Sequence, residues 1–239
     1  MKKISILIPV LNEEESLRRM LPHLEQFPGI EVIIVDGGSR DGSAVLLQSW
    51  SDRPTTQERI VLFSERGRAR QMNAGAKRAA GEILLFLHAD SFLPSRALEA
   101  IEEAVRSSGV VGGAFRFRVD SRHFFLKFVE RMANLRSRFL QLPYGDQGIF
   151  VRRPIFERLG GYADLPLMEE VDLIRRLKKE GELVLLEEAV TTSPRRWLRE
   201  GVYRTSFRNL ILLGLYFAGV HPRRLANRYR FEGPEKDQS

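Results

Sequence analysis

Residues 84–90 read Leu-Leu-Phe-Leu-His-Ala-Asp, an apolar run ending in an imidazole and a carboxylate two positions apart. In an extended chain His88 and Asp90 project to the same side. With phosphate oxygens and water added, that pair has the donor chemistry for Mg2+ or Mn2+. An equally simple reading makes Asp90 a helix cap and His88 a core histidine, and the run alone does not choose between them. Two more polar residues end apolar runs in the same way: Asn12 after residues 4–11 and Asp36 after residues 31–35. Glu169 and Glu170 place two carboxylates side by side. On their own they read equally well as acids complementing a helix N-terminus. Tyr144-Gly145-Asp146-Gln147 is a turn whose Asp146 suits either sugar hydroxyls or local turn geometry.

The elements that must position these groups follow from hydrophobic spacing. Runs at 4–8, 31–35, 59–63 and 83–87 have the continuous apolar character of strands buried on both faces. Leu17, Met20, Leu21 and Leu24 recur at helical spacing, and 43–50 and 69–80 fit helices. Four strand–helix alternations in the first 90 residues predict an α/β fold around a Rossmann-like, mostly parallel sheet flanked by helices. Such sheets bind ligands at the carboxyl ends of their strands, where Asn12, Asp36 and Asp90 stand. Beyond Asp90 the pattern predicts helices at 96–107, 123–140 and 169–179, a helical turn at 155–159, and strands at 113–119, 147–151 and 183–186.

The chain has 239 residues, a net charge of +7 and no cysteine. Disulfides and thiolate metal sites are therefore excluded. Nine arginines fall between Arg195 and Arg230 against one acid, Glu200, and this segment accounts for the basic excess. It surrounds an apolar stretch, 210–220, too short to span a bilayer. The expected organisation is a ligand-binding α/β domain at 1–194, a basic amphipathic helical extension at 195–231, and a disordered tail at 232–239. The extension either docks on the core, lies in a membrane interface with arginines near lipid phosphates, or forms a homodimer interface.

Taken in order, the motifs resemble the successive signatures of family 2 glycosyltransferases. They are residues 5–13 (Ser-Ile-Leu-Ile-Pro-Val-Leu-Asn-Glu), 35–42 (Val-Asp-Gly-Gly-Ser-Arg-Asp-Gly), Asn73-Ala-Gly75, Phe86-Leu-His-Ala-Asp90, Gly160-Gly-Tyr162, Glu169-Glu-Val-Asp-Leu173 and Arg196-Trp197. The resemblance covers about 4–197 and is greatest to a bacterial group of small, stand-alone members with mostly undefined substrates. It implies the GT-A fold and inverting transfer from a nucleoside-diphosphate sugar, with UDP the expected nucleotide. It assigns Pro9, Asn12, Glu13, Asp36 and Arg68 to the nucleotide, and Asp90 to a Mg2+ or Mn2+ ion bridging the diphosphate. His88 stands where the family commonly has a second Asp. Glu170 takes the place of the catalytic Asp, a proton acceptor for the attacking hydroxyl, with Glu169 beside it. Arg196 would meet the diphosphate, and Asp146, Gln147 and Trp197 the donor or acceptor sugar. Ser193 replaces the Gln of processive members.

The acceptor expected from this reading carries a hydroxyl and is lipid-linked. The expected location is the cytoplasm, peripheral on the inner face of the cytoplasmic membrane through 202–230. Three rival functions are weaker. A nucleic-acid partner finds no recognition motif. A dinucleotide oxidoreductase would need a Gly-rich fingerprint after the first strand. A sugar-nucleotide pyrophosphorylase would open with a Gly-rich loop where Asn12-Glu13-Glu14-Glu15 stands. A degenerate family member acting as a nucleotide- or membrane-binding module is the remaining alternative.

Overall fold

A computed structural model describes residues 4–230, without the side chains of 227–230. In chain order the elements are β1 (Ile4–Val10), α1 (Glu14–Leu24), β2 (Glu31–Asp36), α2 (Ser43–Ser51), β3 (Glu58–Phe63), α3 (Arg68–Arg78), β4 (Ile83–Phe86), β5 (Ser91–Phe92) and α4 (Ala97–Ala104). There follow β6 (Val110–Val119), α5 (Phe124–Leu140), β7 (Ile149–Arg152), α6 (Arg153–Arg158), α7 (Glu169–Leu177), β8 (Glu182–Thr192), α8 (Arg195–Glu200), α9 (Val202–Phe217) and α10 (Pro222–Arg230). The expected tail at 232–239 lies outside the described residues.

One sheet runs β3-β2-β1-β4-β7-β6-β8-β5. Its β3-β2-β1-β4 half is parallel, as the apolar runs imply. The strand order reverses between β1 and β4, so the loops after β1, β2 and β4 open onto a common crevice. The other half is mixed: β7 runs antiparallel to β4 and β6, and β8 parallel to β6. The sheet is therefore less parallel than the sequence suggests. Apolar side chains cover both faces. Ile6, Ile34 and Leu85 meet α1, α2 and α4, while Leu7, Ile33 and Phe86 meet α3, α6 and α7.

Two features of β6 set the geometry beyond β4. Gly112 and Gly113 lie between close neighbours: a side chain at 112 would strike the carbonyl of Phe150, and one at 113 the carbonyl of Val184. Register shifts flank this pair, and such irregularities bend a strand and increase its twist. The far end of β6 leaves β7 and is covered by α5. The Asn134 amide donates to Phe117 O (2.9 Å) and accepts from Phe117 N (2.8 Å), and Glu130 accepts from Val119 N (3.0 Å). Polar side chains of a helix thus complete a strand edge. Trp197 of α8 packs on Phe117, Val119 and Leu126, tying the basic C-terminal segment to the sheet where it begins.

Gly113→Ala forces a methyl group against backbone. It is expected to lower unfolding stability by about 3 kcal/mol, the upper part of the range for overpacking. Urea denaturation of the two proteins measures this.

Candidate active site

At the ends of β1 and β2 the loops are cross-tied. Asp36 is 1% exposed. Its Oδ1 accepts from the amide (2.9 Å) and hydroxyl (2.7 Å) of Ser39, shaping the Gly37–Gly38 turn. Asn12 holds φ +55°. Its amide donates to Ser39 Oγ (2.9 Å), and its Oδ1 accepts from Arg40 N (2.8 Å). Glu13 N donates to Ser43 Oγ (3.0 Å). Pro9 lies in β1, opposite Val35. Beneath them Gln71 of α3 donates to the carbonyls of Val10 and Val35, both at 2.8 Å. Nothing in the linear pattern singles out this glutamine.

At the end of β4 the acidic groups converge. Arg68, the first residue of α3, places Nη1 3.0 Å from Glu170 Oε1 and 3.4 Å from Glu169 Oε1. His88 Nε2 stands 3.7 Å from Glu170 Oε1 and makes no hydrogen bond among the described residues. Gly145 closes the cluster. A Cβ there would lie 2.5 Å from Glu170 Oε1 and 2.6 Å from His88 Nε2, so this backbone can approach only as glycine. Met168, at φ +65°, turns the chain so that α7 opens with the two glutamates. Two motif pieces support the wall. Asn73 Nδ2 donates to Tyr162 O (2.8 Å), Asn73 Oδ1 accepts from Tyr162 N (2.9 Å), and a side chain at Gly161 would meet Asn73.

Charge and burial oppose each other here. Burial raises the Glu170 carboxyl, but Arg68 and His88 outweigh it and hold it well below the usual range. Burial and the neighbouring Glu170 charge push Glu169 up. Burial also raises Asp146, against the pull of His88 and Arg136. Burial lowers Arg196 against the pull of Glu200, with Arg208 and Arg68 adding to the lowering.

Most expected site residues therefore stand at the ends of β1, β2 and β4 or at the starts of α3 and α7, but two are turned away from them. Gln147 is 0% exposed. Its amide donates to Phe115 O (3.0 Å) and accepts from Ser137 Oγ (2.8 Å) and Tyr144 N (3.1 Å), so it holds the 144–147 turn rather than a sugar. Trp197 is packed against Phe117 and is likewise turned inward. Arg195, which the sequence could not separate from its basic neighbours, reaches back to pair with Glu13 and lies 3.8 Å from Glu15. Ser193 N donates to Asp90 O (3.0 Å), so the residues after β8 are pinned beside Asp90. Among the described residues no three His, Asp or Glu side chains form a ready-made metal cage.

The sequence profile described as Glycosyl transferase family 2 matches residues 5–160, well over half of the chain. The chain belongs to glycosyl transferase family 2. Within this family it is 34% identical over 158 residues to an undecaprenyl-phosphate 4-deoxy-4-formamido-L-arabinose transferase of Sodalis glossinidius, across 63% of this chain and 48% of that protein. A Pseudomonas aeruginosa protein of the same description is 32% identical over 139 residues, across 55% of this chain and 40% of its own. The chain thus spans about half the length of the curated relatives it matches. Among solved structures, the mannosyltransferase PcManGT from Pyrobaculum calidifontis, in complex with GDP-Man and Mn2+, superposes with a TM-score of 0.65 at 18% identity, over 80% of this chain and 56% of that one. TarS 1–349 of S. aureus in complex with UDP-GlcNAc gives 0.61 at 18% identity, over 80% and 58%. The fold of this family 2 chain is GT-A, as the motif order implies.

Arg68→Met removes the cation between two buried carboxylates. Without it, His88 is the main group left opposing the effect of burial on Glu170, whose folded pKa then rises, so the stability deficit grows as pH rises. The expected loss is about 2 kcal/mol at pH 8, roughly half the cost of breaking a fully buried pair, because the Arg68 side chain stays 45% exposed. That corresponds to a melting temperature about 4–8 °C lower. The deficit shrinks at pH 5. Thermal scans at both pH values test the sign.

Proposed function

We propose that the chain transfers a sugar from a nucleoside-diphosphate sugar to a hydroxyl on a lipid-linked acceptor, with inversion at the anomeric carbon. The observation that carries this reading is the Glu169–Glu170 pair, bridged by Arg68 and faced by His88, at the ligand-binding end of a GT-A sheet. Family membership, a sugar transferase named for a lipid phosphate among the relatives, and neighbours solved with GDP-Man or UDP-GlcNAc all support it.

In this proposal Pro9, Asn12, Glu13 and Asp36 receive the base and ribose. The diphosphate lies along the end of β4, within reach of Arg68 and Arg196. Asp90 and His88, whose Nε2 makes no hydrogen bond among the described residues, are the residues that would hold a divalent ion, Mg2+ or Mn2+, which needs few protein donors beside phosphate and water. When bound, it neutralises charge on the departing diphosphate. Arg68 turns from the carboxylates toward the incoming diphosphate. Glu170 then loses its compensating cation, and its proton affinity rises. It takes the proton of the acceptor hydroxyl as that oxygen bonds to the anomeric carbon and the bond to the diphosphate oxygen breaks. Asp146, drawn up by burial, holds a sugar hydroxyl. A phosphate acceptor would need no proton removed, which is why the carboxylate pair favours a hydroxyl.

No helix among the described residues is long and apolar enough to cross a membrane. The lipid-linked acceptor is reached from the surface instead. Tyr203, Phe207, Leu210 and Phe217 form an exposed ridge along α9, and α9 and α10 lie against the cytoplasmic face of the membrane in this reading.

Calorimetric titration with UDP, GDP, dTDP and CDP, with and without Mn2+, tests the donor site. UDP is expected to bind in a metal-dependent manner, and Asp90→Ala to abolish the metal dependence. Absence of binding by all four nucleotides refutes the reading.

A further inference from the structure

A cavity of about 360 Å3 lies away from the acidic cluster. It lies between α5 and the outer surface of β6 and β8, and Arg116, Arg118, Arg131 and Arg138 line it. Its two carboxylates are already engaged. Glu187 pairs with Arg116 at 2.7 Å, and Glu130 accepts from Lys127 (2.9 Å) and from the backbone of Val119. Arg118, Arg131 and Arg138 have no ion pair, hydrogen bond or ring contact among the described residues. Three uncompensated guanidinium groups thus converge on one concave site, and guanidinium matches phosphate oxygens in a bidentate way.

The helix that forms one wall is amphipathic in an unusual sense. At 3.6 residues per turn, Phe124, Phe128, Met132, Leu135 and Phe139 align as one ridge, and Lys127, Arg131 and Arg138 run directly beside it. The apolar ridge faces solvent, with Phe124 87% and Phe139 74% exposed. It continues into α9, because Phe125 packs on Tyr203 with ring centroids 4.5 Å apart. An exposed apolar ridge flanked by a row of cations and an arginine-lined groove has the charge complementarity of an anionic bilayer surface. A neutral protein partner would leave the three arginines without counter-charge.

We infer that the groove between α5 and the β6–β8 surface binds the phosphate headgroup of an anionic phospholipid, while the α5 ridge enters the bilayer interface. This site adjoins the α9–α10 contact proposed above through Phe125 and Tyr203, is distinguished from it by its own arginines, and does not depend on the transfer chemistry. It also has a geometric consequence. α5 leads straight into the 144–147 turn, to which Ser137 and Gln147 bind it, so a membrane-seated α5 holds the reaction crevice close to a lipid acceptor.

The test is co-sedimentation of the full chain with vesicles of phosphatidylcholine alone or mixed with phosphatidylglycerol. Binding is expected to the anionic vesicles only and to weaken with salt. The Arg118→Gln/Arg131→Gln/Arg138→Gln variant is expected to bind about 100-fold more weakly, about fivefold for each arginine near an anionic surface. Circular dichroism and nucleotide titration confirm that the variant is folded. Phe128→Ser/Phe139→Ser is expected to lose vesicle binding as well. Several outcomes overturn the inference. One is undiminished binding by the arginine variant while Arg223→Gln/Arg224→Gln loses it, which assigns the contact to the C-terminal helices alone. Another is arginine-dependent binding of inorganic phosphate without vesicle binding, which marks a small-anion site. A third is a halving of mass in Phe128→Ser/Phe139→Ser by light scattering, which assigns the ridge to a second copy of the chain.

Discussion

A single cation held between two buried carboxylates organises this molecule. Glu169 and Glu170 are both buried at the start of α7, where two like charges repel in a medium that screens them poorly. Three things make the arrangement tolerable. The N-terminus of α7 favours negative charge, Arg68 bridges both carboxyls, and the pair divides its proton affinities, Glu169 moving up and Glu170 down. The bridge joins residues about 100 positions apart, so it exists only if the β3–α3 loop and the β7–α7 segment meet at the same end of the sheet. The topology provides this: α3 and α6–α7 cover the same face, and Asn73 locks α3 to Tyr162.

The same constraint explains why several signatures lie far apart in sequence yet act together. Gly145 is small because His88 and Glu170 occupy the space its side chain would need. Gly161 is small because Asn73 does. Gly75 lets α3 settle onto β1 and β2, where a Cβ would come within 3.0 Å of Leu7. These glycines are packing requirements around a polar centre, and they bring the ends of β1, β2 and β4 into register with α7.

What the sequence revealed divides along the sheet. The β3-β2-β1-β4 half was legible because β1, β2 and β4 are buried on both faces, which leaves continuous apolar runs such as Val32 to Val35, and because the half-buried edge strand β3 keeps an apolar run of its own. β8 was only partly legible. The apolar signal marks 183–186, whereas the strand runs to Thr192, with Glu187 and Glu188 inside it facing water or Arg116. The register shifts of β6 leave no periodic trace. Asn12, Asp36, His88 and Asp90 were conspicuous as polar residues at the ends of apolar runs, whereas Asp146, Glu169 and Glu170 took their roles from the order of the family motifs. Gln147 and Trp197 stood in the same motifs, and nothing in a linear pattern separates a side chain that faces the crevice from one that braces it. Arg195 was hidden in a run of arginines, and Gln71 inside a helix with no distinguishing neighbour. The sequence marks 123–140 only as a helix, and its exposed ridge is not legible there, because amphipathic spacing does not say what covers the apolar side.

The account rests on the unequal proton affinities of the glutamate pair, which carboxyl-selective carbon NMR reads directly. Chain labelled at glutamate side-chain carboxyls would be titrated from acid to mildly alkaline pH, with Glu169→Gln and Glu170→Gln assigning the two resonances. The account predicts one carboxyl that titrates above the ordinary glutamate range and one that stays ionised below it, with the gap narrowing in Arg68→Met. Two carboxyls titrating together near the ordinary value, unaffected by Arg68, would contradict it.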